Sequence, residues 1–374
     1  MSAARKSTAT TDVGHNAHRD IAIIGGGIGG LTAALAFARQ GAKVTVYEQA
    51  DALTEVGAGL QITPNGARAL NALGLERALD ASGITAEAVA PMDAIGGQEI
   101  TRFDLTKQTP PYRFYHRAAL IDVLARACEA ARVTVRLGAR IDALSPDGTF
   151  VLAGEAMTPD LTIGADGLHS VVRGIVNTAA EPFFTGQIAW RAMVKAPDAA
   201  PIAQVWMAPG RHLVTYPLAG GRLNIVAVQE RREWAAEGWH HTDDPGNLRQ
   251  AFADCNWAVK GILGDVETVN LWGLFRHPVA AKWHMGSLAI LGDAAHPTLP
   301  FLAQGANLAI EDAFVLARCC DEAAELEQGL ATYQSRRRAR VVKAIAAANK
   351  NAKNYHLSGL QRRVAHAGLK AMGK

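Results

Sequence analysis

Acid is missing from the end of this chain. From Gln328 onward there are eleven lysines and arginines and no aspartate or glutamate. The basic excess is local, because the whole 374-residue chain carries only +3 at neutral pH. So small a net charge gives no footing for a nucleic-acid partner. Cysteine is scarce as well. The four, at 128, 255, 319 and 320, show neither zinc-site spacing nor a disulfide framework, so no metal is expected. The adjacent Cys319-Cys320 pair favours a thiol-reducing compartment, by default the cytoplasm. Residues 1–19 are polar and lack the apolar middle region of a signal peptide, so they read as a disordered leader. One uncharged stretch, Ile21 to Ala38, has the length of a membrane span, but it carries glycine at 25, 26, 27, 29 and 30. A phosphate-binding turn explains those glycines and a bilayer does not, so no integral membrane segment is expected. Internal repeats are absent too.

With 49% hydrophobic residues the chain is rich enough to bury a large core, and its length allows two or three domains. Asp20 to Ile24 reads as a buried parallel strand, GGGIGG comes directly after it, and Leu31 to Arg39 continues as an Ala-rich helix. Gly25 permits a tight turn, Gly27 lets backbone approach a pyrophosphate, and Gly30 lets helix and strand pack closely. A second strand, Lys43 to Tyr47, ends at Glu48, whose carboxylate suits adenosine ribose hydroxyls. The fingerprint alone leaves FAD and NAD open. Residues 56 to 75 then read as a glycine-rich loop and a helix after Pro64, where an NAD dehydrogenase more often continues with alternating strands and helices. Gly57 and Gly59 either let backbone approach the ring end of a long cofactor or merely shape a packed loop.

A later stretch, Leu288 to Ala313, carries a second feature. Leu288 to Leu291 is a short apolar strand stopped by Gly292-Asp293, Pro297 and Pro300 hold the next residues extended, and a helix opens at Gly305. Asp293 then offers an acceptor to a hydroxyl chain, while the free N–H groups of Gly305 and Ala306 offer partial positive charge to an anionic ring edge. That pairing suits a flavin; the plain alternative is an ordinary strand, loop and helix. Arg117 opens a helix from Arg117 to Ala130, where the helix dipole disfavours a cation unless an anion such as pyrophosphate is near; a surface salt bridge is the alternative. Val133 to Leu137, Ile141 to Leu144 and Phe150 to Leu152 read as a hairpin or meander. Leu161 to Gly164 reads as a returning core strand that ends in Asp166-Gly167, with a helix over His169 to Ile175.

Residues 178–275 read as a sheet, with strands at Gln187–Val194, Ala203–Met207, His212–Leu218, Leu223–Gln229 and Val266–Phe275. Tryptophans 190, 206, 257 and 272, four of the six in this span, read as a ring-binding floor or as sheet core. His212 and Tyr216 share one strand face roughly 13 Å apart by the standard rise, near enough to line one pocket but not to share a proton. Both are also compatible with simple packing. Residues Leu330 to Leu357 read as a basic helix packed on the rest, with a weak contact to anionic membrane as the other option.

GGGIGG with Glu48, the Asp166-Gly167 of GADGLHSVVR, and Gly292-Asp293 with His296-Pro297 and Gln304-Gly305 resemble the three signatures of class A flavoprotein aromatic hydroxylases. The nearest likeness is to the salicylate hydroxylase branch, which includes 3-hydroxybenzoate 6-hydroxylase and 6-hydroxynicotinate 3-monooxygenase. It runs from about residue 20 to 357 and includes VGAGLQITPN, HRAAL and Tyr355-His356-Leu357. The resemblance implies an α/β fold: a Rossmann-like FAD-binding domain of the p-hydroxybenzoate hydroxylase type in two parts (20–177 and 276–328), an inserted, mostly antiparallel sheet (178–275), and a C-terminal basic helix (329–374). It also implies FAD, NADH or NADPH as co-substrate, O2, a small aromatic substrate, and a flavin C4a-hydroperoxide that passes a hydroxyl to the ring. A homodimer is left open.

Carried over by position, Gly25, Gly27, Gly29 and Gly30 hold the FAD pyrophosphate, Glu48 the ribose, and Arg117 the phosphate and ribityl region. Asp166 and Gly167 support both FAD and the nicotinamide donor, Asp293 binds the ribityl chain, and Gly305 with Ala306 faces the ring. RHLVTYPL matches the segment that makes His212 the base or hydrogen-bond partner of a substrate phenol and Tyr216 its orienting neighbour. Pro300 and Phe301 depart from the family pattern, which leaves regiochemistry open. A halogenase or reductase on this fold, or an inert FAD-binding protein, is the rival. The halogenase W-x-W-x-I-P signature and a redox CxxxxC are both absent.

Overall fold

The apolar run Asp20–Ile24 sits at the centre of a six-stranded sheet in the computed structural model, which describes residues 14–53, 59–178, 181–231 and 241–372. The order is His284–Met285, Leu288–Ile290, Leu161–Gly164, Asp20–Ile24, Lys43–Tyr47, Thr134–Arg136, parallel except for the first pair. Leu161–Gly164 and Leu288–Ile290 are buried at every position, which is why they read as unbroken apolar runs. Register aligns the strand ends. Ile24 stands opposite Gly164 on one side and Tyr47 on the other, and Gly164 stands opposite Ile290. Gly25, Glu48, Asp166 and Asp293, far apart in sequence, therefore emerge from one edge of the sheet. That carboxyl edge is where open α/β sheets bind ligands.

The helix Ile28–Arg39 packs between this sheet and the helix Gly305–Glu322, which in turn packs on Leu326–Tyr355. The candidate membrane span is thus a strand, a turn and a buried helix. Among the described residues no helix is long and apolar enough to cross a membrane. All four cysteines are buried and unpaired.

A second sheet of eight strands is mostly antiparallel and contains all five strands expected from 178–275, in the neighbour order Val269–Arg276, Phe183–Lys195, Arg222–Glu230, Arg211–Leu218, Ile202–Ala208. One face is covered by two short helices, Pro245–Ala251 and Trp257–Gly264, whose Leu248, Phe252, Val259 and Leu263 pack on Ile188, Trp190, Trp206 and Ile225. The opposite face, with Ala189, Val226, Val228, Trp272 and Leu274, packs on Leu299, Phe301 and Ala352. It therefore looks toward the Asp293–Gly305 loop.

Several expectations need correction. The strand at Val133–Leu137 is not part of a meander: Thr134–Arg136 joins the parallel sheet as its edge, and the meander is Ala143–Leu144, Phe150–Leu152 and Glu155–Met157. The loop before Pro64 is in part a strand, Gly59–Ile62, paired with Arg113–His116; Gly57 lies outside the described residues. Ala88–Asp93 and Phe103–Asp104 extend the second sheet from well before residue 178. Pro91 hides that strand, since proline removes a ladder donor.

The helix expected from His169 starts at Val171, because the Ser170 side chain caps it by accepting from the Arg173 N–H at 2.9 Å. The basic C-terminal region is two helices, Leu326–Tyr355 and Gly359–Met372. Of the expected leader, residues 1–13 lie outside the described residues. The rest is held: Asn16 is buried, its N–H donating to the Asp321 carboxylate at 2.9 Å and its Nδ2 to Ala317 O at 2.8 Å.

Candidate active site

The first helix begins at a turn shaped by glycine. Gly25 has φ +105°, and a Cβ there would lie 2.5 Å from Ala165 O, so both backbone and space require glycine. Gly30 lies so close to the turn that a Cβ would sit 2.0 Å from Gly25 O, which gives it a packing role. Gly27 is different: its backbone is extended (φ −72°, ψ −176°), and a Cβ would meet nothing within 4 Å. The space beside it is what a phosphate chain would take. No side chain caps this helix and no acid lies in its first turn, so its N-terminal N–H groups keep their partial positive charge. Gly29 instead lets this helix approach Leu291 and Ala309, where a Cβ would be 2.8 and 3.3 Å from their side chains. Packing accounts for it. Glu48 accepts from the Gly26 N–H at 2.6 Å and the Ala50 N–H at 2.9 Å, which parks its carboxylate beside the turn.

Asp293 comes after Gly292, whose φ of +58° turns the chain out of the sheet. Asp293 is exposed to the cleft although protein surrounds it; that enclosure raises its carboxyl pKa, opposed by His296 and Arg117. Arg117 and Arg191 have the same character. Each keeps partial solvent contact within a dense surround, and desolvation lowers both guanidinium pKa values, Arg117 to about 10, with Arg191 adding to the effect and Asp293 opposing it. Asp293 and Arg117 thus share one electrostatic environment across a chain separation that sequence spacing does not reveal. Asp166 holds the helix Val171–Val176 by accepting from the Val171 N–H at 2.8 Å, while its other oxygen is buried without a hydrogen-bond partner. A buried carboxylate oxygen of that kind calls for a donor.

The helix Gly305–Glu322 also starts without a side-chain cap, after Ala303 in the left-handed region (φ +53°), and a Cβ at Gly305 would meet open space. Its first turn is anchored by Asn307, which accepts from the Thr63 N–H at 2.9 Å and donates to Gln61 O at 2.9 Å. Further along, Asp312 is fully buried. It accepts from Arg337 Nε at 2.7 Å and from the Gly292 N–H at 3.2 Å, and it pairs with His296. Arg337 also meets Glu311 at 2.7 Å. This network fixes the backbone on both sides of Asp293. Neither Asn307 nor Asp312 was singled out from the sequence; a polar residue on the inner face of an apolar helix was the available signal.

His212 and Tyr216 do share a strand face, Arg211–Leu218, and both are buried. The His212 ring packs on Phe301 at 5.4 Å and Tyr355 at 5.2 Å, and its Nδ1 lies 2.7 Å from His356 Nε2. Burial, then His356, lowers the His212 pKa well below its ordinary value and keeps the ring neutral. Tyr216 packs on Phe114 at 5.1 Å, and burial raises its phenol pKa, opposed by Arg191, Gln61 and Asn224. The two groups thus occupy different neighbourhoods of one face. Gly59 belongs to the second neighbourhood: a Cβ there would lie 2.6 Å from Asn224 and 2.7 Å from Tyr216, so side chains already fill the approach that the sequence suggested for a cofactor ring. Of the four tryptophans of this span that lie among the described residues, 190 and 206 face the helix-covered core and Trp257 is 83% exposed on a helix. Only Trp272 turns to the cleft side, beneath Arg191 at 4.7 Å.

These features fit FAD. There is open space at Gly27 and Gly305, two uncapped helix N-termini, Glu48 at the fingerprint turn, an unsatisfied oxygen on Asp166, and Asp293 exposed within the cleft. Comparison with known proteins agrees. Residues 18–348 match the family model described as an FAD binding domain. The chain is 36% identical over 357 residues to 3-amino-4-hydroxybenzoate 2-monooxygenase of Streptomyces cremeus, covering 90% of this chain and 88% of that protein. It is 32% identical over 368 residues to 3-hydroxybenzoate 6-hydroxylase of Klebsiella oxytoca, covering 91% and 90%. Its fold matches Klebsiella pneumoniae HpxO solved with FAD and uric acid, with a TM-score of 0.83 at 24% identity over 96% and 95% of the two chains. A salicylate hydroxylase substrate complex gives 0.80 at 24% identity, over 95% and 93%. A family match of that length, joined to relatives above 30% identity across most of both chains, makes this chain a member of the FAD-dependent class A flavoprotein aromatic hydroxylases, that is, an aromatic-ring monooxygenase.

Proposed function

We propose that this monooxygenase consumes NADH or NADPH and O2 to hydroxylate a small phenolic acid or hydroxylated N-heterocycle. One observation carries the reading. Phe301, in the loop between Asp293 and Gly305, packs on His212, so the cofactor loop and the second sheet meet at an imidazole. The names of the relatives, both acting on hydroxybenzoates, support that substrate class. Buried unpaired cysteines support a cytoplasmic setting.

The turn from Gly25 to Gly30 and its helix would hold the FAD pyrophosphate, Glu48 the ribose, Arg117 and Asp293 the middle of the molecule, and Gly305 with Ala306 the ring. Asp166 and Gly167 would support it from the neighbouring strand. Bound FAD supplies the oxygen-activating redox chemistry, with the nicotinamide as reductant. The chain's own residues do the rest. The partial positive charge at Gly305 and Ala306 favours an anionic ring edge. Neutral His212 is able to accept a phenol proton, which makes the aromatic ring more nucleophilic. Tyr216 orients the substrate, Arg191 and Arg117 give the cleft a cationic side suited to a carboxylate, and Phe301, Tyr355 and Trp272 exclude water.

A panel of hydroxybenzoates, aminohydroxybenzoates, anthranilates and hydroxypyridines, scored for stimulated NAD(P)H oxidation and for hydroxylated product, tests the reading. At least one phenolic member should stimulate oxidation and be recovered with one added oxygen; a panel without any stimulation overturns the substrate class. With the active member, His212→Ala should lower coupled hydroxylation by ~100-fold or more, the scale of a general base. The lost electrons should appear as hydrogen peroxide. Unchanged coupling removes His212 from the chemistry.

A further inference from the structure

Tyr355-His356-Leu357 ends the long C-terminal helix beside the second sheet. His356 caps the helix Leu326–Tyr355, with its N–H on Lys353 O at 3.3 Å and its carbonyl accepting from the Gly210 N–H at 3.1 Å. Two backbone bonds thus fix a buried imidazole against the second sheet. Its Nε2 lies 2.7 Å from His212 Nδ1, and its Nδ1 lies 2.9 Å from Glu230 Oε1. The Glu230 side chain is 56% exposed. Three groups in hydrogen-bond contact therefore run from the cleft-side imidazole to solvent.

The order of donors is set by chemistry. A carboxylate only accepts, so His356 Nδ1 carries the hydrogen. In a neutral ring His356 Nε2 is then an acceptor, so His212 Nδ1 carries the next hydrogen. That leaves the lone pair on His212 Nε2, the nitrogen turned away from His356. Both rings are kept neutral, His212 by burial and then by His356, His356 by burial against the opposing pull of Glu230. Other ionisable groups on the packed elements are Tyr355, whose phenol burial raises to about 12, Lys353 one turn back on the helix, Arg231 beside Glu230, and Arg211, which pairs with Asp254.

We propose that His356 and Glu230 are positioning residues that fix the tautomer of His212 and carry the proton of a bound phenol to solvent. This rests on the phenolic substrate class proposed for the active site. The phenol O–H breaks as an N–H forms at His212 Nε2. The His212 Nδ1 hydrogen passes to His356 Nε2, and the His356 Nδ1 hydrogen passes to Glu230 and on to water. No electrons are exchanged; the sum is phenol to phenolate plus one proton in solvent. The reverse sequence restores both tautomers when product is reprotonated.

The test uses the oxidised, FAD-loaded enzyme and 4-hydroxy-3-nitrobenzoate, whose phenolate absorbs visibly, with stopped-flow detection of phenolate and of released proton. His356→Gln should slow proton release by at least ~10-fold. Glu230→Gln, at an exposed position, should lower the pH midpoint for bound phenolate by about one unit, because it removes a nearby negative charge and its amide can donate to His356 Nδ1. Glu230→Asp should restore part of that shift, with FAD content and melting unchanged in both Glu230 variants. Wild-type release rate and midpoint in both His356→Gln and Glu230→Gln overturn the relay. If the wild-type enzyme binds neither this probe nor any panel phenol, the substrate class fails instead. The relay is then decided by ¹⁵N-histidine NMR of the holoenzyme: an Nδ1–H tautomer at His356 that Glu230→Gln abolishes supports it, and a tautomer indifferent to Glu230 overturns it.

Discussion

Asp312→Ala is expected to cost the protein about 3 kcal/mol of folding stability, the low end of the ~3–5 kcal/mol lost when one partner of a buried ion pair is removed. Asp312 is fully buried, and its loss strands His296 and Arg337, whose side chains are 1% and 4% exposed. The low end applies because Glu311 still meets Arg337 at 2.7 Å. Burial alone would raise the Asp312 carboxyl, but His296 and Arg337 outweigh it and hold the pKa below the ordinary value. This stabilisation is therefore complete above the unfolded-state pKa, near ~4, and is lost as pH falls through the lowered folded value. Urea denaturation should show the full gap between wild type and variant at pH 7 and a shrinking gap in acid. A difference within about 0.5 kcal/mol, the range of ordinary surface substitutions, would contradict this. FAD affinity should fall as well, because the Gly292 N–H also rests on Asp312 at 3.2 Å.

Gly27→Val separates folding from cofactor binding. The extended backbone at Gly27 accepts any residue, and a Cβ meets nothing within 4 Å. Stability of the FAD-free protein should therefore change by no more than about 0.5 kcal/mol. A branched side chain between the backbone and a pyrophosphate loses the close approach, and overpacking of ~2–3 kcal/mol corresponds to on the order of 100-fold weaker FAD. Fluorescence titration of apoprotein gives the affinity and denaturation gives the stability. Retained FAD affinity would mean that the turn holds something else. Gly30 provides the contrast: its Cβ would collide with Gly25 O, so substitution there damages the fold itself.

Much of this was readable in the sequence because parallel strands impose their own logic. Buried strands read as unbroken apolar runs, and each must end where a ligand or a turn waits, so Gly25, Glu48, Asp166 and Asp293 could be placed at strand ends from the sequence alone. Their gathering at one edge comes from register, which strand sequence alone leaves free. What stayed hidden depends on contacts between distant residues. Gly59 resembles a cofactor glycine until Tyr216 and Asn224 fill the space beside it. Ala88–Asp93 was missed because Pro91 argues against a strand, although its carbonyl still accepts from the Ile100 N–H at 2.8 Å. Arg191, Asn307 and His356 show no role in the sequence because their partners lie on other elements.

If the fingerprint turn and Asp293 grip opposite ends of a single FAD, Asp293→Ala must injure one end only. Titrating that variant with FAD and, separately, with ADP decides the matter, since ADP reaches Glu48 and the glycine turn but lacks the ribityl chain. FAD should bind at least ~10-fold more weakly, the scale of a lost hydrogen bond to a charged group, while ADP keeps its wild-type affinity. Undiminished FAD affinity, or an equal loss for both ligands, would contradict it.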